Sequence, residues 1–421
     1  MDAGPLQPPA AAATTGVGAL SAPTARADLT SPHEVDLATD RLAGQDLHDV
    51  LTALRGAAPL ADTVFFGQPA VVTTTHALGR AVLRDDDGIP GAPTYTLSTA
   101  PLLGNTFIDA HGDEHHRIRA LATPAFRSRA IERFDAEALV DLADEVLERV
   151  ADRGTADLMA EFAMVVPYLA IARKLGLPPS GEDDTRRWAQ GLLSHALAPD
   201  LAAQARADFD AFLGEIVQAR RAAPRQDVLS GLVTAERNGR RFSDDDVLAH
   251  VRLLFAVGAT TTAHGIGNLL SALLHRPDVF ASVAAEESLR DRAVAEALRF
   301  DPPVSVLPRV VTTPTTVAGR ELPPHTFLLV GIAAANRDPA VFTEPDAFTP
   351  SRPPQEVLTF GNGVKFCPGS HLATRELRVA LDAVVSRLGV PELVDEDGAL
   401  PVGGPLRAPE RLAVRWDPVS R

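Results

Sequence analysis

The sequence predicts a mainly α protein with small β-sheets. Two observations carry that expectation. Apolar residues recur at helical spacing over most of 113–300 and again over about 370–388, whereas β-like runs are short and come in isolated pairs. At 421 residues, length alone would suggest two or three domains. No Pro/Gly/Ser linker divides the chain after residue 28, however, so a single domain is expected over 29–421.

The segment 1–28, MDAGPLQPPAAAATTGVGALSAPTARAD, reads as a disordered tail. It lacks the basic start and compact apolar stretch of a secretion signal. Residues 60–83 carry two β-rich runs, ADTVFFG and PAVVTTT, followed by a short helical pattern over 77–83. The Gly/Pro-punctuated 85–96 predicts a loop. Helices are expected at 113–121, 128–152, 157–176, 183–198, 200–222, 244–274, 277–288 and 290–300. Beyond them come β-like pieces at 308–318 and 326–330, an irregular 343–369, a helix over about 370–388 and hairpin strands within 401–416.

Composition narrows the function. A formal charge of -15, from 40 Lys plus Arg against 55 Asp plus Glu, argues against nucleic-acid binding and against an anionic membrane surface. With one cysteine, neither an intramolecular disulfide nor a Cys-rich zinc site is possible. A cytoplasmic monomer without a membrane span is expected.

That cysteine has an unusual setting: Phe360-Gly361-Asn362-Gly363-Val364-Lys365-Phe366-Cys367-Pro368-Gly369, with Leu372 and Ala373 in the next helix. Physically this is a glycine-rich turn presenting a thiolate at a helix N-terminus, where free backbone N–H groups stabilise negative sulfur. Gly361, Gly363 and Gly369 would let a flat macrocycle lie against the loop, and Phe360 would restrict water. The plain alternative is an inert buried cysteine.

The pattern Phe-x-x-Gly-x-x-x-Cys-x-Gly resembles the haem-binding signature of the cytochrome P450 superfamily. The resemblance runs from about residue 29 to 418 and implies a long central helix over a buried haem b, with Cys367 as the iron ligand. Other motifs fit in order. Glu296-Ala-Leu-Arg299 resembles the family's buried Glu-x-x-Arg brace. The third basic member is usually in a Pro-Glu-Arg-Phe-like segment, but Pro345-Asp346-Ala347-Phe348 has Ala347 there, so Arg337 is the expected substitute. His115 and Arg119, at i and i+4 on one helix face, would bind a haem propionate, with Arg309 and Lys365 beside them. His116 is expected at the surface.

Leu253 to Ala263 resembles the central helix, with Gly258 fixing its register. The family pattern is small-Gly-x-acid-Thr. Here Thr261 fills the threonine position and Thr260 fills that of the acid, so the usual acid of proton delivery is missing. Apolar walls for a small hydrophobic substrate are expected from 97–103 (Leu97, Leu103), 192–197 (Leu193), Phe255, Val257, 304–307 (Val304, Leu307) and 406–408 (Leu406).

The chain carries no flavin or nicotinamide fingerprint, so a separate ferredoxin and its reductase are expected, docking on Arg117, Arg127, Arg129, Arg133, Lys365 and Arg375. The resemblance implies a monooxygenase inserting one oxygen atom from O2, by hydroxylation or epoxidation, in secondary metabolism. Two alternatives stay open: a peroxygenase or oxidative-coupling haem enzyme, suggested by Thr260, and a non-catalytic haem protein.

Overall fold

The computed structural model describes residues 31–127, 138–194, 198–237 and 239–418. The tail expected at 1–28 and the start of the helix expected at 128–152 lie outside the described residues.

The first elements are α1 (Asp46–Ala57), the strands β1 (Leu60–Phe65) and β2 (Gln68–Thr73), and α2 (His76–Arg84). The β1–β2 hairpin turns through Phe66 and Gly67, both at positive φ. Short helices α3 (Ala92–Ser98) and α4 (Ala100–Leu103) follow, then α5 (Gly112–Ala122), α6 (Ala138–Ala151) and β3 (Thr155–Asp157). After a π-helical turn at Met159–Ala163 come α7 (Val166–Leu175), α8 (Glu182–Leu193), α9 (Pro199–Ala222) and α10 (Val228–Thr234). The small hairpin of β4 (Glu236–Arg237) and β5 (Arg240–Arg241) leads into α11 (Asp244–Leu274), α12 (Pro277–Ala285) and α13 (Arg290–Phe300). Strands β6 (Val306–Val310), β7 (Thr315–Val317), β8 (Arg320–Leu322) and β9 (Phe327–Gly331) precede the single turn α14 (Ile332–Ala335). The long helix α15 (Ser370–Leu388) and the short strands β10 (Glu392–Leu393), β11 (Pro401–Val402), β12 (Ala408–Pro409) and β13 (Ala413–Arg415) complete the chain.

The mainly α expectation holds. The largest sheet has the order β1-β2-β9-β6, with β2 parallel to β9 and the other pairs antiparallel. Several local expectations fail. Residues 85–96 do not stay irregular, because α3 begins at Ala92 with Pro93 in its first turn, where a missing N–H costs nothing. The helix expected over 157–176 is broken: β3 pairs with β13 from the far end of the chain, and Pro167 opens α7. Strands within 401–416 form no single hairpin, since β12 pairs with β11 whereas β13 joins β10 and β3. The helix α1, with Leu47, Val50, Leu51 and Leu54 buried, was not anticipated.

The centre of the molecule is α11. It starts with a capping box in which Ser243 and Asp246 satisfy each other's backbone N–H groups. Its first half packs into one apolar cluster with Phe209, Leu213 and Leu229, and its second half into another with Leu377, Leu381 and Val384. Being apolar almost all round, it is long and apolar enough to cross a membrane by composition, with an 18-residue window of mean hydropathy 1.2. That window is 78% buried inside the protein, the mark of a core helix.

Segments far apart in the described chain meet at Arg407. Arg407, fully buried, gives its Nε–H to Asp301 at 2.7 Å and its Nη1–H to Leu42 O at 2.5 Å, and also bonds Gly44 O.

Candidate active site

The cysteine loop lies at the N-terminus of α15. Gly361 at φ 74° and Gly363 at φ 73° make the turn; a Cβ on Gly363 would also press Leu83 O at 3.0 Å. The Cys367 N–H donates to Phe360 O at 2.9 Å, closing the loop, and the Phe360 ring packs edge-on to Phe366. Gly369 differs from expectation: its φ is -87° and a Cβ would meet only the Cys367 sulfur, at 3.9 Å. Burial pushes the Cys367 thiol above its usual range, outweighing the Gly369 and Ser370 N–H groups and the Arg119 charge that favour thiolate.

Four basic side chains gather beside the loop. Arg119, on α5, donates to Phe366 O at 2.5 Å. Lys365 turns inward and gives its ammonium protons to Ala110 O at 2.5 Å and Ile108 O at 3.0 Å, with His115 Nδ1 also at 3.0 Å. His115 Nδ1 lies 2.6 Å from Phe107 O and its Nε2 3.1 Å from Val364 O. Burial lowers Lys365 to about 8, opposed by Asp86 and Asp109 and reinforced by the neighbouring charges of Arg309 and Arg119. Arg309, 2% exposed, has its Nε without a partner, and its guanidinium stands 3.2 Å from where a Gly91 Cβ would be.

A buried guanidinium with an unpartnered Nε, its Nη1 bonded to Pro308 O at 3.1 Å, in a crowd of cations calls for an anion. Val364 and Phe366 in the cysteine loop, Val257 on α11 and Leu406 near β12 keep apolar side chains exposed. A flat apolar group carrying carboxylates fits this donor set, and haem b is such a group. His115 and Lys365 depart from the sequence expectation, because their polar atoms are engaged by backbone carbonyls and brace α5 to the cysteine loop.

The brace beneath the loop is present, with a different third member. Glu296 and Arg299, both buried, pair through two bonds at 2.8 and 2.9 Å. Arg352 supplies the third charge, its Nε lying 3.2 Å from each Glu296 oxygen. Arg337 does not substitute: it is used by Phe300 O, Gln45 and Asp346. The only sequence signal was the run Phe348-Thr-Pro-Ser-Arg352, four residues beyond the segment considered.

On α11 the three threonines diverge. Thr261, half-buried, donates to Val257 O, and Thr262 to Gly258 O, each at 2.9 Å. Thr260 is buried and meets the Tyr168 hydroxyl of α7 at 3.3 Å. Gly258 is small for a reason the sequence did not show: a Cβ there would lie 3.2 Å from Ile171 of α7. Tyr168 was missed altogether.

Of the expected pocket walls, Leu97, Val257 and Leu406 are exposed, and Leu193, Val304 and Leu307 are half-buried, with Val304 and Leu406 joined by a β-bridge. Leu103 and Phe255 are corrected to core residues. Each is 1% exposed, and Phe255 stacks on Phe209 at 4.7 Å. Residues 195–197 of the wall expected at 192–197 lie outside the described residues.

A helical body crossed by one buried central helix, with a lone cysteine presented in a glycine-rich loop among basic side chains, fits the haem-thiolate class of oxygenases. The comparisons with known proteins agree. A family model described as Cytochrome P450 matches residues 200–399. Vitamin D(3) 25-hydroxylase of Pseudonocardia autotrophica is 33% identical, covering 72% of this chain and 76% of that protein. Cyclomarin C epoxidase CymV of Salinispora arenicola is 32% identical over 69% of this chain and 76% of that one. Among solved structures, the ligand-free cytochrome P450 TbtJ1 gives a TM-score of 0.82 at 29% identity, covering 90% of this chain and all of that one.

The chain belongs to the cytochrome P450 superfamily and is a haem b monooxygenase of bacterial type. The non-catalytic alternative falls with that assignment.

Proposed function

We propose that this enzyme inserts one oxygen atom from O2 into an apolar small organic molecule, by hydroxylation or epoxidation, in the tailoring of a secondary metabolite. We further propose that residues 29–421 work as one haem-thiolate domain, in the cytoplasm, with Cys367 as the iron ligand. The observation that carries this reading is the half-buried Cys367 just ahead of α15, in a loop whose Lys365 feels the charge of Arg309, a buried arginine with an unpartnered Nε.

Haem b, when bound, supplies the redox chemistry of oxygen activation. The residues of this chain bind and orient it. Arg309 and Arg119 would hold its carboxylates, while His115 and Lys365 fix the loop on which Cys367 stands. Val257, Val304, Leu307 and Leu406 would exclude water and receive an apolar ligand, with Leu97 and Leu193 nearer the entrance. Thr261, half-buried on α11, would hold a proton donor on the substrate side.

Electrons would come from a separate ferredoxin and ferredoxin reductase. Of the proposed docking residues, Arg127 and Arg375 are exposed. Arg117 is paired with Glu114 at 2.8 Å, Lys365 is spent internally, and Arg129 and Arg133 lie outside the described residues. Docking therefore rests on Arg127 and Arg375. Peroxide-driven turnover remains a second reading because Thr260 replaces the acid; it is favoured if hydrogen peroxide alone matches the ferredoxin system.

Cys367→Ala should abolish the shifted Soret band of the ferrous–CO complex; persistence of that band in the variant rejects the assignment. Substrate-induced spin-state changes across a compound library would then identify the ligand class.

A further inference from the structure

We propose that Tyr168 is a proton-relay residue, linking an open cavity at the surface to Thr260, the position on α11 where the family's acid stands. This rests on the monooxygenase reading and deepens it.

Three observations meet at this phenol. Its hydroxyl lies 3.3 Å from Thr260 Oγ1, across the α7–α11 contact. Thr261 and Thr262 return their hydroxyl protons to carbonyls of their own helix, whereas Thr260 is oriented to the neighbouring one. Finally, Tyr168 lines a cavity of about 380 Å³ between α6, the π-helical turn, α7 and α8.

The cavity's charged groups are Arg149, Arg153, Arg186, Glu161 and Glu182. Glu161 is paired with Arg153 at 2.8 Å and Glu182 with Arg149 at 2.5 Å, so both carboxylates are engaged by arginines. Water entering the cavity is the proton source. A hydroxyl can donate and accept at once. In one relay cycle the Tyr168 O–H proton passes to Thr260, Thr260 gives its own proton to water on the substrate side of α11, and water in the cavity, resupplied with a proton from bulk solvent, reprotonates Tyr168. One proton enters from solvent and one leaves to the substrate-side water, and neither hydroxyl changes its net charge.

A buried Tyr–Thr bond that merely satisfied two polar atoms would share the first distance. It would not require the lined cavity, and it makes different predictions. Two tyrosines occur in the chain, Tyr95 and Tyr168, so Tyr95→Phe leaves Tyr168 as the only tyrosinate signal. A stopped-flow pH jump on that variant, without haem, should show Tyr168 ionising in a fast phase well ahead of unfolding. Ionisation only at the unfolding rate would overturn the proposal.

In the loaded enzyme, Tyr168→Phe and Thr260→Val should each cut product per electron about tenfold or more and raise peroxide release, with the ferrous–CO spectrum unchanged. Thr260→Asp in the Tyr168→Phe background should restore coupling, since an acid at that position replaces the relay; a packing role for Tyr168 would not be rescued. If wild type turns over and Tyr168→Phe couples equally well, the relay is wrong and the monooxygenase reading stands. If wild type has no Cys-ligated spectrum, that reading fails, whatever the pH jump reports.

Discussion

Among single residues, the largest stability effects belong to the ion cluster under the cysteine loop. Arg299 satisfies four acceptors at once: Glu296 and the carbonyls of Asn336, Pro345 and Ala347. Arg299→Ala leaves Glu296 buried with half its neutralising charge and should cost about 3–5 kcal/mol. Arg352→Met should cost about 1.5–3 kcal/mol, the worth of hydrogen bonds to a charged group. Urea denaturation checks both; losses below about 1 kcal/mol would mean water or a neighbour replaces the missing cation. Cys367 was legible because its loop is a contiguous motif. Arg352 and Tyr168 were not, because each becomes functional only through a contact with a distant helix, and spacing does not report such contacts.

Between elements, glycine sets how closely helices approach. A Cβ on Gly191 of α8 would lie 2.4 Å from the Ala205 Cβ of α9, an overlap neither side chain can rotate away from. Gly191→Ala should therefore destabilise the protein by about 1–3 kcal/mol despite alanine's better helix propensity. Ala205→Gly made alongside should recover part of the loss. A double-mutant cycle measures this, and strict additivity would show that the helices simply move apart. The long elements were readable: α11 and α13 match the predicted 244–274 and 290–300, since strong apolar patterning has no local rival there. The failures have non-local causes. β3 exists because Thr155, Ala156 and Asp157 find Arg415, Val414 and Ala413, and nothing near residue 155 announces those partners.

Across the whole molecule, pH acts through histidines held neutral in the interior. Burial lowers both His48 and His264 to about 4, from an ordinary 6.5. The unfolded chain then binds more protons than the folded one between those values. Stability should be full above pH 6.5 and fall as pH drops towards about 4, by up to about 1.4 kcal/mol per pH unit for each histidine. Asp301, held down to about 2 mainly by Arg407 against its burial, adds a further loss below its ordinary 3.8. Denaturant midpoints at neutral pH and near pH 5 test this, and equal midpoints would contradict it. The buckle made by Arg407 has a different consequence, in time. It clasps carbonyls 365 and 363 positions earlier, so during synthesis the segment around Leu42 and Gly44 must wait, uncovered, until residue 407 has left the ribosome. A nascent chain stalled just short of it would present that unfinished flank to chaperones and proteases.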